Sequence, residues 1–435
     1  MKLPLLGAAL CISGCMYAQS ITSEDRDVTL DSLTASLSRN YVYPEMAEKM
    51  ISAIRDHQKA GDYDGLNQGP DFASALTDDL IEISHDLHIR VRFDPARIAE
   101  YNNSQLSSEE EEAFMARELA RAKSTNFGFE ELKILEGNVG YFKFNGFSGW
   151  DEARQKAMAA MQWLSDADAL IFDLRDNGGG DPQMVQVIST YLFDQVEHLN
   201  TFYWRPSDSY RYFYTLPAVP GDRMPEVPVY VLVSGRTFSA AEEFTYNLKN
   251  MERATIVGQT TGGGAHPGGT VSLTDKFLMF MPQGRAINPI TETNWEGTGI
   301  VPDIETPVSE AIEVAHLDAL TTLRNRQMAA GEENPMLDWA IAEMQARQNP
   351  VVVSRSLLGK YAGNYGPRQL VLQDDGLYYR RGDSAPRKMI PITEDTFFVD
   401  GVNGFRIKMI REGNKAVALE GQYLAGHTDR NERDQ

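Results

Sequence analysis

Ala169-Leu170-Ile171-Phe172-Asp173-Leu174-Arg175-Asp176-Asn177-Gly178-Gly179-Gly180-Asp181 is the stretch that decides the fold. Its first half is a continuous apolar run, as expected of a strand covered on both faces. Its second half is a loop with three consecutive glycines, and an amphipathic run over 182–192 follows it and reads as a helix. A second buried strand at 227–233 and a second helix at 240–249 repeat the arrangement. Strand, helix, strand, helix predicts an α/β core with a largely parallel sheet. A strand at 139–144 and an amphipathic helix at 150–164 extend that core upstream.

On the amino-terminal side, 23–122 is mostly helical in pattern. Apolar residues recur three and four apart at 29–33, 46–51 and 72–83, and 89–93 then alternates like a strand. Beyond the core, 311–346 is helical again. After Pro350 come short strands with turn signals, such as 369–372, Asp374-Asp375-Gly376, 377–379, 396–399 and 405–409. These predict a small antiparallel β domain. The chain therefore divides into an export signal (1–18), an N-terminal helical domain (22–125), a catalytic α/β core (126–316), a helical connector (317–349) and a C-terminal β domain (350–435).

The 435 residues are 42% hydrophobic and 24% charged, which excludes collagen-like and disordered chains. Lys plus Arg number 41 against 62 Asp plus Glu, a formal charge of −21. Such a chain repels phosphate backbones and anionic headgroups, which argues against a nucleic-acid partner. The acidic run Ser108-Glu109-Glu110-Glu111-Glu112 reads as the solvated start of a helix. Cys11 and Cys15 are the two cysteines, so the body holds no disulfide framework, thiolate nucleophile or cysteine metal site. Met1-Lys2 followed by an apolar run over 3–12 reads as a bacterial secretory signal. Ile12-Ser13-Gly14-Cys15 resembles a lipobox that would place a lipid anchor on Cys15, whereas cleavage at Ala18-Gln19 would release a soluble protein. Either way the folded part is expected outside the cytoplasm, in the periplasm, on the outer membrane or in the medium.

The two apolar strands both end in unusual loops. Three glycines let a backbone approach a ligand and aim amide N–H groups at it, and ligands of open α/β sheets sit at the carboxyl ends of strands. No lysine follows the glycines, which disfavours phosphate. An isolated Gly-Gly-Gly also reads as a flexible loop. The second loop runs Val233-Ser234-Gly235-Arg236-Thr237-Phe238-Ser239-Ala240-Ala241-Glu242. Ser239 stands where a helix starts, with its hydroxyl at the positive end of the helix dipole and the Ala240 amide free to serve an oxyanion. The same residue reads as a helix cap, with Glu242 completing a capping box, and local sequence alone favours the cap.

Taken together the loops resemble a known family. Asp173-Leu174-Arg175-Asp176-Asn177-Gly178-Gly179-Gly180, Thr237-Phe238-Ser239-Ala240-Ala241-Glu242, Val257-Gly258-Gln259-Thr260-Thr261-Gly262-Gly263-Gly264 and Trp295-Glu296-Gly297-Thr298-Gly299-Ile300-Val301-Pro302-Asp303 occur in the order seen in the C-terminal processing peptidases. That family includes the tail-specific proteases, the tricorn proteases and the interphotoreceptor retinoid-binding proteins, and Asp86-Leu87-His88 matches its Asp-x-His segment. The resemblance implies a core of ClpP/crotonase-like ββα units. It implies Ser239 as nucleophile, with Gly178 and Ala240 forming the oxyanion hole. The tail-specific branch uses a lysine where this chain has Gly264, so the implied base is that of the tricorn-like branch, His88, assisted by Glu296. A serine precedes that histidine in the tricorn-like pattern; here it is Leu87. No PDZ-type domain fits between His88 and Val139.

His85 is the register alternative to His88. His266, after the glycine loop, reads as a cleft-lining or merely exposed residue, and His57, His198, His316 and His427 read as surface residues. No metal-ligand set is implied, and no cofactor. The expectation is an exported serine hydrolase, a peptidase acting on a peptide or protein substrate through an acyl-enzyme. The alternative is a non-catalytic binder of an apolar ligand, as the retinoid-binding relatives suggest. The C-terminal β domain resembles lipocalin-like modules appended to secreted hydrolases.

Overall fold

A computed structural model describes residues 19–102 and 108–434, so the expected export signal, with both cysteines, lies outside the described residues. Among them no helix is long and apolar enough to cross a membrane. By internal contacts the chain forms two compact units. One holds the described residues up to Leu132 with Phe142–Asp166 and Phe172–Val308; the other holds Lys133–Tyr141, Ala167–Ile171 and the chain from Ser309 onward.

The first unit opens with helices α1 (Ser23–Asn40), α2 (Pro44–Ala60) and α3 (Gly69–Ser84). Thr22 and Asp25 form a capping box at α1, and α2 and α3 each carry proline in the first turn, where its missing N–H costs nothing. Their apolar stripes meet in one core, with Leu33, Leu37, Met50, Phe72, Leu76 and Leu80 all at most 0% exposed. Strand β1 (Arg90–Phe93) follows, then α4 (Pro95–Asn102) and α5 (Ser108–Ser124). Next along the chain come β2 (Phe129–Leu135), β3 (Val139–Phe144), α6 (Asp151–Trp163), β4 (Ala169–Asp173), α7 (Pro182–Thr190), β5 (His198–Trp204), β6 (Ser209–Tyr214), β7 (Val229–Val233) and α8 (Ala240–Asn250), of which β2, β3 and β4 have residues 133–135, 139–141 and 169–171 in the second unit. The series continues through β8 (Thr255–Gly258), β9 (Gly268–Ser272), β10 (Phe277–Pro282), β11 (Gly284–Ile287) and β12 (Ile304–Glu305).

The central sheet has the order β12-β8-β7-β4-β3-β2, and the β12–β8 and β8–β7 pairs are parallel as expected. Every residue of β4 and β7 is buried. Two smaller antiparallel sheets, β1-β10-β9 and β11-β5-β6, complete the unit. The alternation of β1 and β10 divides their sheet's faces. Val91, Phe277 and Met279 join the helical core, while Arg90, Arg92, Leu278 and Phe280 line a cleft. The sequence reading had no element for β5, β6 or β9 to β11; β6, Ser-Tyr-Arg-Tyr-Phe-Tyr, is half-buried or exposed throughout and so lacks an apolar alternation.

In the second unit the expected single helical run is two helices, α9 (Ala311–Ala329) and α10 (Pro335–Gln348). Gly331 at φ 77° breaks the run, and the Asn334 side chain caps the restart by accepting from the Met336 amide. His316, expected on the surface, is buried and contacts the Glu136 carbonyl through Nε2 at 2.7 Å. After the short helix α11 (Arg355–Tyr361), eight strands from Gly363–Tyr365 to Thr428–Glu432 form an antiparallel meander. The Asp434 amide donates to the Asn364 carbonyl at 2.9 Å, so the meander curls back on its first strand. Arg368, 1% exposed, ties strand two to strand eight through Asp429 at 2.6 Å.

Candidate active site

Three loops at the carboxyl edge of the central sheet are tied together by buried side chains. Asn177 donates from Nδ2 to the Phe144 carbonyl at 2.9 Å and accepts the Gly179 amide at 2.9 Å, which sets the glycine loop after β4. Thr237 joins the loop after β7 to it by donating to the Leu174 carbonyl at 2.7 Å, and the Phe238 amide donates to the Asn177 carbonyl at 3.0 Å. Glu242, fully buried on α8, accepts from the Ser239, Gly263 and Gly264 amides at 2.9, 2.7 and 2.8 Å and from the Thr261 hydroxyl at 2.5 Å. Burial raises its pKa and these four donors oppose the rise. The cap-forming glutamate thus also anchors the third loop, 260–264, beneath Ser239.

Ser239 has φ 55° and ψ −121°. An ordinary N-cap lies in the extended region at negative φ, so capping does not account for this backbone. Such a conformation in a non-glycine residue costs on the order of 1–3 kcal/mol and persists where the surroundings over-determine it. The sharp strand-to-helix turn aims a side chain out at the end of the sheet, the geometry of a nucleophile elbow. Gly179 packs against it: a Cβ there would lie 2.7 Å from Ser239 Cβ and 2.8 Å from the Ala240 amide nitrogen, and φ +99° already requires glycine. The Ala240 amide, first of α8, has no intrahelical carbonyl to meet. The Gly178 amide donates to the Asn145 carbonyl at 3.3 Å, a long bond that leaves it a shared donor.

His88 lies on the same cleft. Its ring packs on Phe238, the residue before Ser239, at 4.5 Å between centroids, and stacks on Phe280 at 5.7 Å. Both ring nitrogens are buried without a hydrogen-bond partner, and burial lowers its pKa to about 4 against the opposing pull of Asp86. His85, by contrast, caps α3 in the left-handed region and is exposed, so the register alternative points away from the cleft.

The carboxylate beside His88 is Asp86. Its Oδ1 accepts the His88 amide at 3.0 Å and lies 3.8 Å from His88 Nδ1; its Oδ2 accepts from the Tyr41 hydroxyl at 3.1 Å and from His266 Nδ1 at 2.7 Å. Glu296 is placed one step further back, 3.5 Å from His266 Nδ1, and accepts the Ala265 amide. Burial, with the charge of Asp86 adding to it, pushes its pKa up to about 7. His266 is therefore neither exposed nor on the cleft rim: it is 4% exposed, edge-on to Tyr43, and bridges two carboxyl groups. Asp86, His266 and Glu296 offer ligand atoms within 4.8 Å of one another, a set that a divalent ion could use only if His266 Nδ1 gave up its hydrogen bond to Asp86. Of the other histidines, His57 is half-buried and paired with Asp62 at 2.7 Å, and His198 and His427 stack on Tyr214 and Tyr423.

These residues line a cleft of about 930 Å³ that includes His88, Gly178, Ser239 and Ala240. Phe202, Trp204, Phe213 and Phe280 give it apolar walls. Glu243, one helical turn beyond Ser239, also lines it; burial pushes this carboxyl up to about 8, so it is protonated at neutral pH. The sequence reading assigned no role to Asp86 or Glu243. Asp86 had a signal, as the first residue of the Asp-x-His segment.

Residues 138–306 match the model of peptidase family S41, and residues 18–123 match the N-terminal domain of peptidase S41 in eukaryotic IRBP. A carboxy-terminal-processing protease of Bartonella bacilliformis is 30% identical over 190 residues, covering 40% of this chain and 41% of that protein, so the chain spans about two fifths of that relative's length. Among solved structures, the photosystem II D1 C-terminal processing protease is 16% identical at TM-score 0.43, over 66% of this chain and 94% of that one. The tricorn protease is 14% identical at TM-score 0.42, over 74% and 37%. The chain thus carries, in sequence, an N-terminal domain and a peptidase domain of the S41 type.

Proposed function

We propose that this protein is an exported serine peptidase that cleaves peptide bonds through an acyl-enzyme. The backbone of Ser239 carries the reading: a non-glycine residue at φ 55° and ψ −121° on a strand-to-helix turn, in a cleft shared with His88. A protein that only bound an apolar ligand would have no use for that strain. Ser239 Oγ attacks the scissile carbonyl carbon while His88 takes its proton, and the tetrahedral oxyanion is met by the Ala240 amide and by Gly178 as a shared donor. His88 then gives the proton to the leaving amine, and water, deprotonated by the same imidazole, releases the acyl group. Asp86, whose Oδ1 takes the His88 amide and lies 3.8 Å from its Nδ1, is the carboxylate placed to orient the ring as it takes up the proton, and Glu296 acts through His266 on Asp86 rather than on His88 directly. No lysine takes part. The N-terminal signal, whether it ends in a lipid anchor at Cys15 or in cleavage after Ala18, supports export to the periplasm, outer membrane or medium.

The test is covalent labelling with a fluorophosphonate serine probe, with Ser239→Ala and His88→Ala as controls. Labelling at Ser239 that both variants lose supports the enzyme; a folded protein that binds apolar ligands and never labels supports the binder.

A further inference from the structure

The cleft is cationic in a chain of formal charge −21. Arg90, Arg92, Arg97, Arg211 and Arg236 line it, against two carboxyl side chains, Asp181 and Glu243. Arg236 is neutralised by Asp176. The other four have no carboxylate partner among the described residues, although acidic side chains outnumber basic ones by 62 to 41 over the chain. Neither of the two carboxyl groups offsets them fully. Asp181 is spent on capping α7, where it accepts the Gln183 amide at 2.8 Å, and Glu243 is held neutral by burial.

The positions of these arginines follow from the fold. Arg90 and Arg92 are two apart on β1 and so share one face, opposite Val91, which is in the helical core. Cross-strand they face Phe280 and Leu278 on β10, both of which line the cleft. The outward backbone groups of Val91 are engaged by the Thr77 hydroxyl, at 2.9 Å for the amide and 3.3 Å for the carbonyl. An incoming chain therefore meets this edge through side chains and not by extending the sheet. Arg97 adds to the same wall from α4, and Arg211, stacked over Trp204 at 5.5 Å, charges the wall built by β5 and β6. A peptide lying in the cleft that Ser239 lines thus meets both apolar surface and guanidinium groups.

We infer that the cleft selects peptides carrying carboxylates flanking the scissile bond, with Arg90, Arg92, Arg97 and Arg211 as the specificity determinants. This rests on the peptidase reading above. The carboxylate is that of an Asp or Glu side chain. Guanidinium forks match it.

The test uses the full-length Ser239→Ala protein and fluorescent peptides with one apolar centre and varied flanks, with binding read by anisotropy at low and high salt. Acidic flanks should bind about tenfold or more tightly than the same centre with lysine flanks, with the preference shrinking in salt. Arg90→Glu/Arg92→Glu should remove or invert the preference while circular dichroism stays as in wild type. Peptides ending in an acid or an amide serve as the control: binding that follows the free terminus alone, with no gain from acidic flanks, overturns the inference. Equal binding of acidic, neutral and basic peptides, or a preference untouched by the double substitution, overturns the inference. Failure of the probe to label the Ser239 protein would overturn the peptidase reading and leave the binding result to stand or fall separately.

Discussion

Asp86 stands between two imidazoles, with Oδ2 2.7 Å from His266 Nδ1 and Oδ1 3.8 Å from His88 Nδ1. It is 1% exposed, and the Tyr41 hydroxyl holds the same oxygen that meets His266. One carboxylate therefore lies between two histidines 178 positions apart in sequence, hydrogen-bonded to the ring of His266 and, through Oδ1, to the backbone amide of His88.

Asp86→Asn should leave the fold intact and lower kcat by roughly 10²–10⁴, as loss of the orienting carboxylate does in serine hydrolases. His88→Ala should cost roughly 10³-fold or more, and His85→Ala little. Steady-state kinetics on a peptide substrate decides it. Full activity in Asp86→Asn with loss in Glu296→Gln would return the orienting role to Glu296.

The acid limb of kcat/KM should lie well below the ordinary imidazole value. An ordinary imidazole would give a rise with pH near ~6–7; burial moves His88 down to about 4. The neutral, base-competent ring is then the main form above that pH, and Asp86→Asn, by removing the charge that favours protonation, should move the limb lower still. A limb at or above 6.5 in the wild-type protein contradicts the desolvated His88.

Glu243 predicts a stability effect of opposite sign. Its folded pKa, about 8, lies above the ordinary 4.5. Below 4.5 both folded and unfolded states carry the proton, and the contribution is fully present. Between 4.5 and 8 only the folded state holds it, so stability falls as pH rises and the loss is complete above 8. Glu243→Gln should therefore raise the thermal midpoint relative to wild type at pH 8–9 and much less at pH 5, by an amount on the order of a few kcal/mol. A pH-independent difference would contradict it.

Gly264→Ala tests the packing of the base. A Cβ at this position would lie 2.2 Å from Phe238 Cζ and 2.6 Å from His88 Cε1, so the imidazole must shift. Overpacking costs about 1–3 kcal/mol, and a displaced base lowers kcat by about 10²-fold. Thermal melts and kinetics on the same preparation check both. Unchanged kcat would mean that His88 is not held where catalysis needs it.

EDTA should leave activity unchanged. Loss with chelator, restored by a divalent ion, would instead assign Asp86, His266 and Glu296 to a metal.

Much of the site was legible because its loops are local. Two apolar strands, each ended by a loop, placed Gly178, Ser239 and Ala240 at one sheet edge, and the helical pattern ending at 83 put His88 shortly after it. The resemblance made Glu296 a partner of His88, but which carboxylate meets which imidazole is a tertiary fact. His266 looked like a loop histidine because its partner Asp86 is 180 residues away. Likewise β6 escaped notice since its aromatic residues are largely exposed, with Tyr210, Tyr212 and Tyr214 at 52, 60 and 43%. Backbone strain at Ser239 has no sequence signature at all: Ser-Ala-Ala-Glu reads as an ordinary capping box.

The most direct measurement is mass-spectrometric mapping of the adduct formed by a fluorophosphonate on the full-length protein. The account predicts a single modified residue, Ser239, with the labelling rate falling at least 10³-fold in His88→Ala at neutral pH. Modification elsewhere, or a rate indifferent to His88, would contradict it.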